Sequence, residues 1–117
     1  MCNYFSSMFH GCSFLYDLRP LQNWNVSNSH NFSSMFYLCT SLINIKPLKT
    51  WNVSNGKNLS YIFHRCPSLA GIKALTDWNV SNCEDFSYMF YGCQKLEDIN
   101  TLQNGMFKMV VDLLACI

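Results

Sequence analysis

The chain has 117 residues, of which 50% are hydrophobic, 15% aromatic and 13% charged, and its formal net charge is +1. This composition excludes an intrinsically disordered chain, which combines low hydrophobicity with many charges. The near-neutral charge gives no reason to expect a nucleic-acid partner attracted by bulk electrostatics. The sequence has no apolar run of the roughly 18 residues that a membrane span needs, so no membrane span is predicted.

The main organising feature is an internal repeat. The pentapeptide Trp-Asn-Val-Ser-Asn begins at Trp24, Trp51 and Trp78, so successive copies are 27 residues apart. A unit of this size cannot bury an apolar face alone, and periods of roughly 20 to 50 residues predict stacked units. The aligned segments are 2–28, 29–55, 56–82 and a fourth that starts at residue 83.

Each unit opens with four apolar positions at i, i+3, i+4 and i+7, such as Phe32, Met35, Phe36 and Cys39. This spacing predicts a short α-helix with one buried face. The last position is always cysteine, which favours buried thiols that pack as small hydrophobes, although stacking also permits disulfides within the pairs Cys12/Cys39 and Cys66/Cys93. No Cys-x-x-Cys pair occurs, so no zinc site is predicted. The cysteine column is Cys12, Cys39, Cys66 and Cys93.

Leucine and isoleucine columns follow each predicted helix and indicate a brief parallel strand. The Trp-Asn-Val-Ser-Asn segment then predicts a corner, because Asn and Ser side chains satisfy backbone groups where a chain turns. Trp is expected to fill the interior of that corner. Besides the cysteine column, the predicted core is Phe36, Phe63, Trp24, Trp51, Trp78, Ile45 and Ile72.

The repeat pattern extends over residues 1–104 and fails from Gly105 onward. Residues 105–117 contain apolar side chains at approximately helical spacing. They are interpreted either as a helix that caps the apolar end of the stack or as the degenerate end of a truncated repeat. Both interpretations remain open at this point.

The segment FSSMFYLCTSLINIKPLKTWNVSN (32–55) carries all of these columns together. In this combination the chain resembles the BspA-like leucine-rich repeat surface proteins, including the mycoplasma-type lipoprotein repeats, over residues 4–104. The resemblance implies a leucine-rich-repeat-type right-handed α/β solenoid of about four 27-residue units, each with a short helix and a short parallel strand. It also implies a microbial surface location and adhesion or partner binding, with no catalysis. No cofactor is predicted.

A basic column is the candidate binding site. Arg19, Lys46 and Lys73 lie in the variable part of each predicted strand, directly after the aliphatic column of Leu18, Ile45 and Ile72. Neighbouring like charges repel, so packing alone does not favour them. They are interpreted as a stripe that binds an acidic protein patch or an anionic glycan; the alternative is that they only keep the surface soluble. The flanking candidates are Tyr16, Asp17, Glu97 and Asp98.

Neither catalysis nor metal binding is predicted from the sequence. No nucleophile with a base, no recurring carboxylate pair and no phosphate loop is recognisable, so no enzyme is predicted. His10 and His64 share a column with Tyr37 and Tyr91, which indicates exposed helix surface rather than metal ligands.

Asn31 and Asn58 start Asn-x-Ser sequons and are conditional glycosylation sites on a eukaryotic secretory route. No signal peptide is recognisable at the N-terminus. The prediction is therefore a non-enzymatic protein- or glycan-binding module at the cell surface. The alternatives are a cytoplasmic interaction scaffold and a fragment of a longer repeat protein.

Overall fold

The structure is a computed structural model that describes residues 5–96. Over those residues it contains three 3-10 helices, and no residue lies in an α-helix or in a β-strand. The predicted α/β solenoid of leucine-rich-repeat type is therefore wrong. The interpretation of residues 105–117 lies outside the described residues. The three helices are η1 (Arg19–Leu21), η2 (Lys46–Thr50) and η3 (Lys73–Asp77).

Two successive β-turns stand where each α-helix was predicted. In the second unit the amide of Met35 donates to the carbonyl of Phe32 at 3.3 Å, and the amide of Cys39 donates to that of Phe36 at 3.2 Å. Two consecutive four-residue turns place their end residues at i, i+3, i+4 and i+7. That spacing is also the spacing of one helix face, so the apolar pattern alone does not distinguish the two structures.

The third residue of each turn adopts a left-handed backbone conformation. Ser34 and Leu38 have φ angles of 57° and 62°, and their amides donate to Ser60 and His64 of the next unit at 2.9 Å. A left-handed non-glycine residue costs about 1 to 2 kcal/mol, and a hydrogen bond contributes about 1 kcal/mol. The bonds between units therefore offset much of the strain. The same arrangement recurs at Ser7, Gly11, Tyr61 and Arg65.

Replacing Arg65 by glycine is expected to stabilise the protein. Arg65 is exposed and has a φ of 56°, while Gly11 and Gly92 occupy the equivalent turn position in other units. Glycine removes the left-handed strain at some entropic cost, so Arg65→Gly should raise the free energy of unfolding by about 0.5 to 1 kcal/mol. Urea denaturation measures the change.

Gly11→Ala is the reciprocal control, because an added Cβ at Gly11 meets nothing within 4 Å and only the φ of 73° opposes it. This change should lower the free energy of unfolding by about 1 kcal/mol. A lower urea midpoint for Arg65→Gly would contradict the account of strain.

Equivalent side chains in neighbouring units lie directly against each other in the interior. The Phe36 and Phe63 rings are 5.6 Å apart and 6° from parallel, and the Phe63 and Phe90 rings are 5.8 Å apart and 4° from parallel. Each unit therefore forms one layer, and its apolar surface is covered by the layers beside it.

The tryptophan of each corner joins two layers. The indole Nε1–H of Trp51 donates to the carbonyl of Leu21 at 2.9 Å, and that of Trp78 donates to Leu48 at 2.8 Å. Both indoles are buried, and a buried indole N–H needs an acceptor. The position therefore requires a large apolar side chain that also carries one donor.

The asparagines of the corner have two separate tasks. Asn52 Oδ1 accepts hydrogen bonds from the amide and the hydroxyl of Ser54, at 3.0 and 2.6 Å, and so fixes the turn. Asn55 Nδ2 donates to the Ser27 carbonyl of the neighbouring layer at 2.7 Å. These bonds account for the recurrence of the two Asn residues and the Ser between them.

Parallel pairing occurs only as isolated bridges within residues 5–96. They join Asn31 to Asn58 and Asn58 to Asp85, so they precede the turns rather than follow them as predicted. Where the strand was predicted in the second unit, Pro47 lies in the first turn of η2, and the Asn44 carboxamide oxygen accepts from the Lys46 amide at 2.7 Å. Both features favour a helical start over a strand.

Candidate functional site

The three cations of the predicted stripe are the first residues of the three 3-10 helices. Arg19, Lys46 and Lys73 begin η1, η2 and η3, and all three are exposed. Placing them on a strand was wrong, because the chain turns into a helix at this point in each layer. They nevertheless occupy equivalent positions in successive layers, immediately after the buried residues Leu18, Ile45 and Ile72.

Lys46 and Lys73 line the same groove. The groove lies between adjacent layers, has a volume of about 240 Å³ and also contains Ile43, Asn44 and Gly71 in its lining. Within residues 5–96, neither lysine has a carboxylate partner within ion-pair distance. Two cations therefore converge on one groove without a compensating anion from the described part of the chain.

Arg19 differs from the two lysines because it is paired. Its Nη2 and Nε donate to the Asp17 carboxylate at 2.7 and 2.9 Å. These hydrogen bonds lower the pKa of Asp17 to about 2 and raise the pKa of Arg19. The pair lines a second groove with Tyr16, and both grooves share Asn44. The first layer thus contributes little free positive charge to the stripe.

Exposed apolar side chains lie beside the cations. Tyr16 and Ile43 occupy equivalent positions in adjacent layers and are 70% and 58% exposed. Ile43 lines the groove of Lys46 and Lys73, which we call the lysine groove. Sequence reasoning included Tyr16 but missed Ile43, because the equivalent residues in the other units, Ala70 and Glu97 among them, do not form a recurring apolar column. The other two predicted flanking residues, Glu97 and Asp98, lie outside the described residues.

The burial of the predicted core residues differs between the first layer and the others. In the first layer Trp24 is 37% exposed and Cys12 is half-buried, because the described residues place no layer on its outer side. The buried members are Phe36, Phe63, Trp51, Trp78, Ile45, Ile72, Cys39, Cys66 and Cys93.

All five cysteines within residues 5–96 are free thiols, so neither Cys12/Cys39 nor Cys66/Cys93 is joined by a disulfide. The thiol of Cys39 donates to the Phe9 carbonyl at 3.1 Å. Burial raises the pKa of Cys39 to about 12 and that of Cys93 to about 11. Nucleophilic chemistry requires a thiolate, so these groups are unsuited to it.

A row of aromatic rings runs across the layers on another face. His10, Tyr37, His64 and Tyr91 follow one another with ring centroids 4.6, 4.7 and 5.0 Å apart. His64 is only 6% exposed and its Nδ1 has no hydrogen-bond partner in the described part of the chain. The prediction of an exposed histidine was wrong here, because neighbouring rings, including Tyr61, cover it. No cluster of three potential metal ligands occurs among the described residues.

His64 should make the stability of the protein depend on pH. Burial, and secondly the nearby Arg65, lower the pKa of His64 below its ordinary 6.5. The unfolded chain then binds more protons than the folded chain as pH falls through 6.5, so stability should decrease on acidification.

The variant His64→Tyr isolates this effect, since Tyr37 and Tyr91 are the natural residues at the equivalent positions. Urea midpoints at pH 7.5 and 5.5 should differ less in the variant than in the parent chain. An equal difference in both proteins would rule out His64 as the cause.

The two conditional glycosylation sites lie at the bridges between layers. Asn31 Oδ1 accepts from the Ser33 amide at 2.9 Å, and Asn58 Oδ1 accepts from the Ser60 amide at 2.9 Å. Both residues are half-buried. Their side-chain oxygens therefore act as local caps, and glycosylation at these positions stays a prediction.

Comparison with known proteins gives one family match. The model of a family described as "Mycoplasma protein of unknown function, DUF285" matches residues 3–112. Searches of curated proteins and of solved structures give no significant match. No helix within residues 5–96 is both long enough and apolar enough to cross a membrane.

Proposed function

Because the chain belongs to DUF285, a Mycoplasma protein family of unknown function, we propose its function from its own surface: it is a non-enzymatic binding module. The observation that carries this proposal is the shared groove of Lys46 and Lys73, which have no described anionic partner. Holding two like charges side by side is unfavourable, and a bound anion relieves the repulsion.

The partner we propose is a protein segment with acidic and apolar side chains. Exposed Ile43 lines the lysine groove, and exposed Tyr16 lines the adjoining one. Apolar area at the centre of a contact contributes affinity, while complementary charge contributes specificity and association rate. An anionic glycan is the second candidate, since the two lysines favour it as well, but it gives Ile43 no role.

Adhesion at the cell surface is the biological setting that we propose. It is supported by the resemblance to BspA-like surface repeats. The layered packing also supports it, because equivalent side chains are held at a fixed spacing and several weak contacts then act together. A cytoplasmic scaffold would use the same surface, and fractionation of the native host distinguishes the two locations.

Charge reversal tests the binding site. We expect the double variant Lys46→Glu/Lys73→Glu to lose about tenfold or more in affinity for a synthetic peptide of alternating Glu and Leu, because attraction becomes repulsion. Lys57→Glu/Lys95→Glu is the matched control, since both lysines are exposed, lie outside the groove and give the same change in net charge. Isothermal titration calorimetry measures both.

A third variant, Ile43→Ser, distinguishes the two partner classes. A protein partner predicts weaker binding of the peptide and unchanged binding of heparin, which serves as the anionic glycan probe. Equal affinity of the double variant, its control and the parent chain for both probes would exclude the lysine groove as a binding site.

A further inference from the structure

Asn55 is followed by Gly56, and this pair carries a reactivity that the proposed function does not use. In an Asn–Gly pair the backbone nitrogen of glycine can attack the side-chain carbonyl carbon of asparagine, because glycine has no Cβ to hinder the approach. Asn28 and Asn82 occupy the same corner position, but Ser29 and Cys83 follow them. Among the three corner asparagines, Asn55 is therefore the one that precedes glycine.

The folded chain holds both reacting groups in other contacts. Asn55 Nδ2 donates to the Ser27 carbonyl at 2.7 Å, and the Gly56 amide donates to the Val53 carbonyl at 2.8 Å. Gly56 is buried, and a Cβ there would lie 3.1 Å from the Phe32 ring. Ring closure requires rotation of the Asn55 side chain away from Ser27 and of the Gly56 nitrogen away from Val53. The hydrogen bond to Ser27 opposes the first rotation, and the burial of Gly56 against the Phe32 ring opposes the second.

We propose that Asn55 is a site of spontaneous deamidation that the fold blocks and that opens when the contact between the first two layers is lost. The Gly56 nitrogen forms a bond to Asn55 Cγ, the Cγ–Nδ2 bond breaks, and ammonia leaves with the proton of the Gly56 amide. Water then adds across one of the two C–N bonds of the cyclic imide. The product is aspartate or isoaspartate at position 55, with no oxidant or reductant required.

The modified chain cannot restore the native contact. A carboxylate has no hydrogen to donate to the Ser27 carbonyl, and two acceptor oxygens that face each other repel. Isoaspartate also lengthens the backbone by one methylene directly before Gly56, where the Phe32 ring leaves little space. Local unfolding thus leaves a permanent negative charge at position 55 and weakens the contact between the layers.

The test compares deamidation of the full chain in buffer and in 8 M urea at pH 8, with peptide mapping by mass spectrometry. Asn104–Gly105 is the same dipeptide and serves as an internal reference in urea. We expect Asn55 to react at about the rate of Asn104 in urea, and roughly tenfold or more slowly in buffer, where the layer contact must first open. Equal rates for Asn55 in buffer and in urea would overturn the proposal.

Two variants distinguish deamidation at an Asn–Gly pair from a general loss of stability. Gly56→Ser copies the residue at Ser29 and should suppress deamidation of Asn55 even in urea, where folding is irrelevant. Cys83→Gly places glycine after Asn82, whose Nδ2 donates to the Ser54 carbonyl at 2.8 Å, and should create a second site that is blocked in buffer and active in urea. Fast reaction of Asn82 in buffer, with Asn55 still protected, would show that the layer contact does not provide the protection.

Discussion

Trp51→Ala is expected to lower the free energy of unfolding by about 3 to 5 kcal/mol. The indole is buried against the rings of Phe32 and Phe36, with centroids 6.5 and 6.4 Å away. Truncation leaves a cavity and also leaves the Leu21 carbonyl without the indole donor. Single domains have total stabilities of about 5 to 15 kcal/mol, so this single change removes a large fraction. Urea denaturation followed by circular dichroism measures the loss.

Trp24→Ala is the matched control for this prediction. Trp24 occupies the same column but is 37% exposed, so its removal should cost less than removal of Trp51. Trp51→Phe should have an intermediate effect, since it keeps most of the apolar volume and loses the N–H donor. Equal losses for Trp24→Ala and Trp51→Ala would show that burial between layers does not determine the energy.

Phe63→Ala is the second large effect that we expect. Phe63 is fully buried between Phe36 and Phe90, and its ring is nearly parallel to both. Truncation therefore removes contacts on two sides at once, at a cost of about 3 to 5 kcal/mol. Thermal and urea unfolding both report the change.

Phe14→Ala is the matched control for Phe63→Ala, because it removes an exposed ring. Phe14 is 90% exposed, so Phe14→Ala should change stability by less than about 0.5 kcal/mol. Phe63→Leu should cost less than Phe63→Ala, because leucine retains much of the volume. A Phe63→Ala variant as stable as Phe14→Ala would contradict the stacking of layers through this column.

The sequence predicted side-chain burial better than backbone conformation. A turn pair and a helix place Phe32, Met35, Phe36 and Cys39 in the same apolar pattern, so burial followed from the spacing whereas secondary structure did not. The residue that would have distinguished turns from a helix lies at the third position of each turn. Gly11 and Gly92 occupy it in two units, and glycine at a fixed place inside a predicted helix argues against that helix.

The candidate site was only partly predictable for a similar reason. Column alignment identified Lys46 and Lys73 as neighbours, because the offset between units fixes which residues lie together. It did not show that Asp17 neutralises Arg19, since that pair forms within one layer through the local turn. Nor did it show the burial of His64, which depends on rings from both adjacent layers.

The regular offset between layers also constrains how a gene of this kind can change in length. The bond from Ser34 to Ser60 spans 26 residues, that from Asn55 back to Ser27 spans 28, and that from Trp51 back to Leu21 spans 30. Inserting a single codon between Leu21 and Ser27 would shift the donors and acceptors of the corner out of register with those of the next layer. Duplication or deletion of a whole 27-residue unit would leave every remaining pairing intact. Natural length variants are therefore expected to differ by complete units.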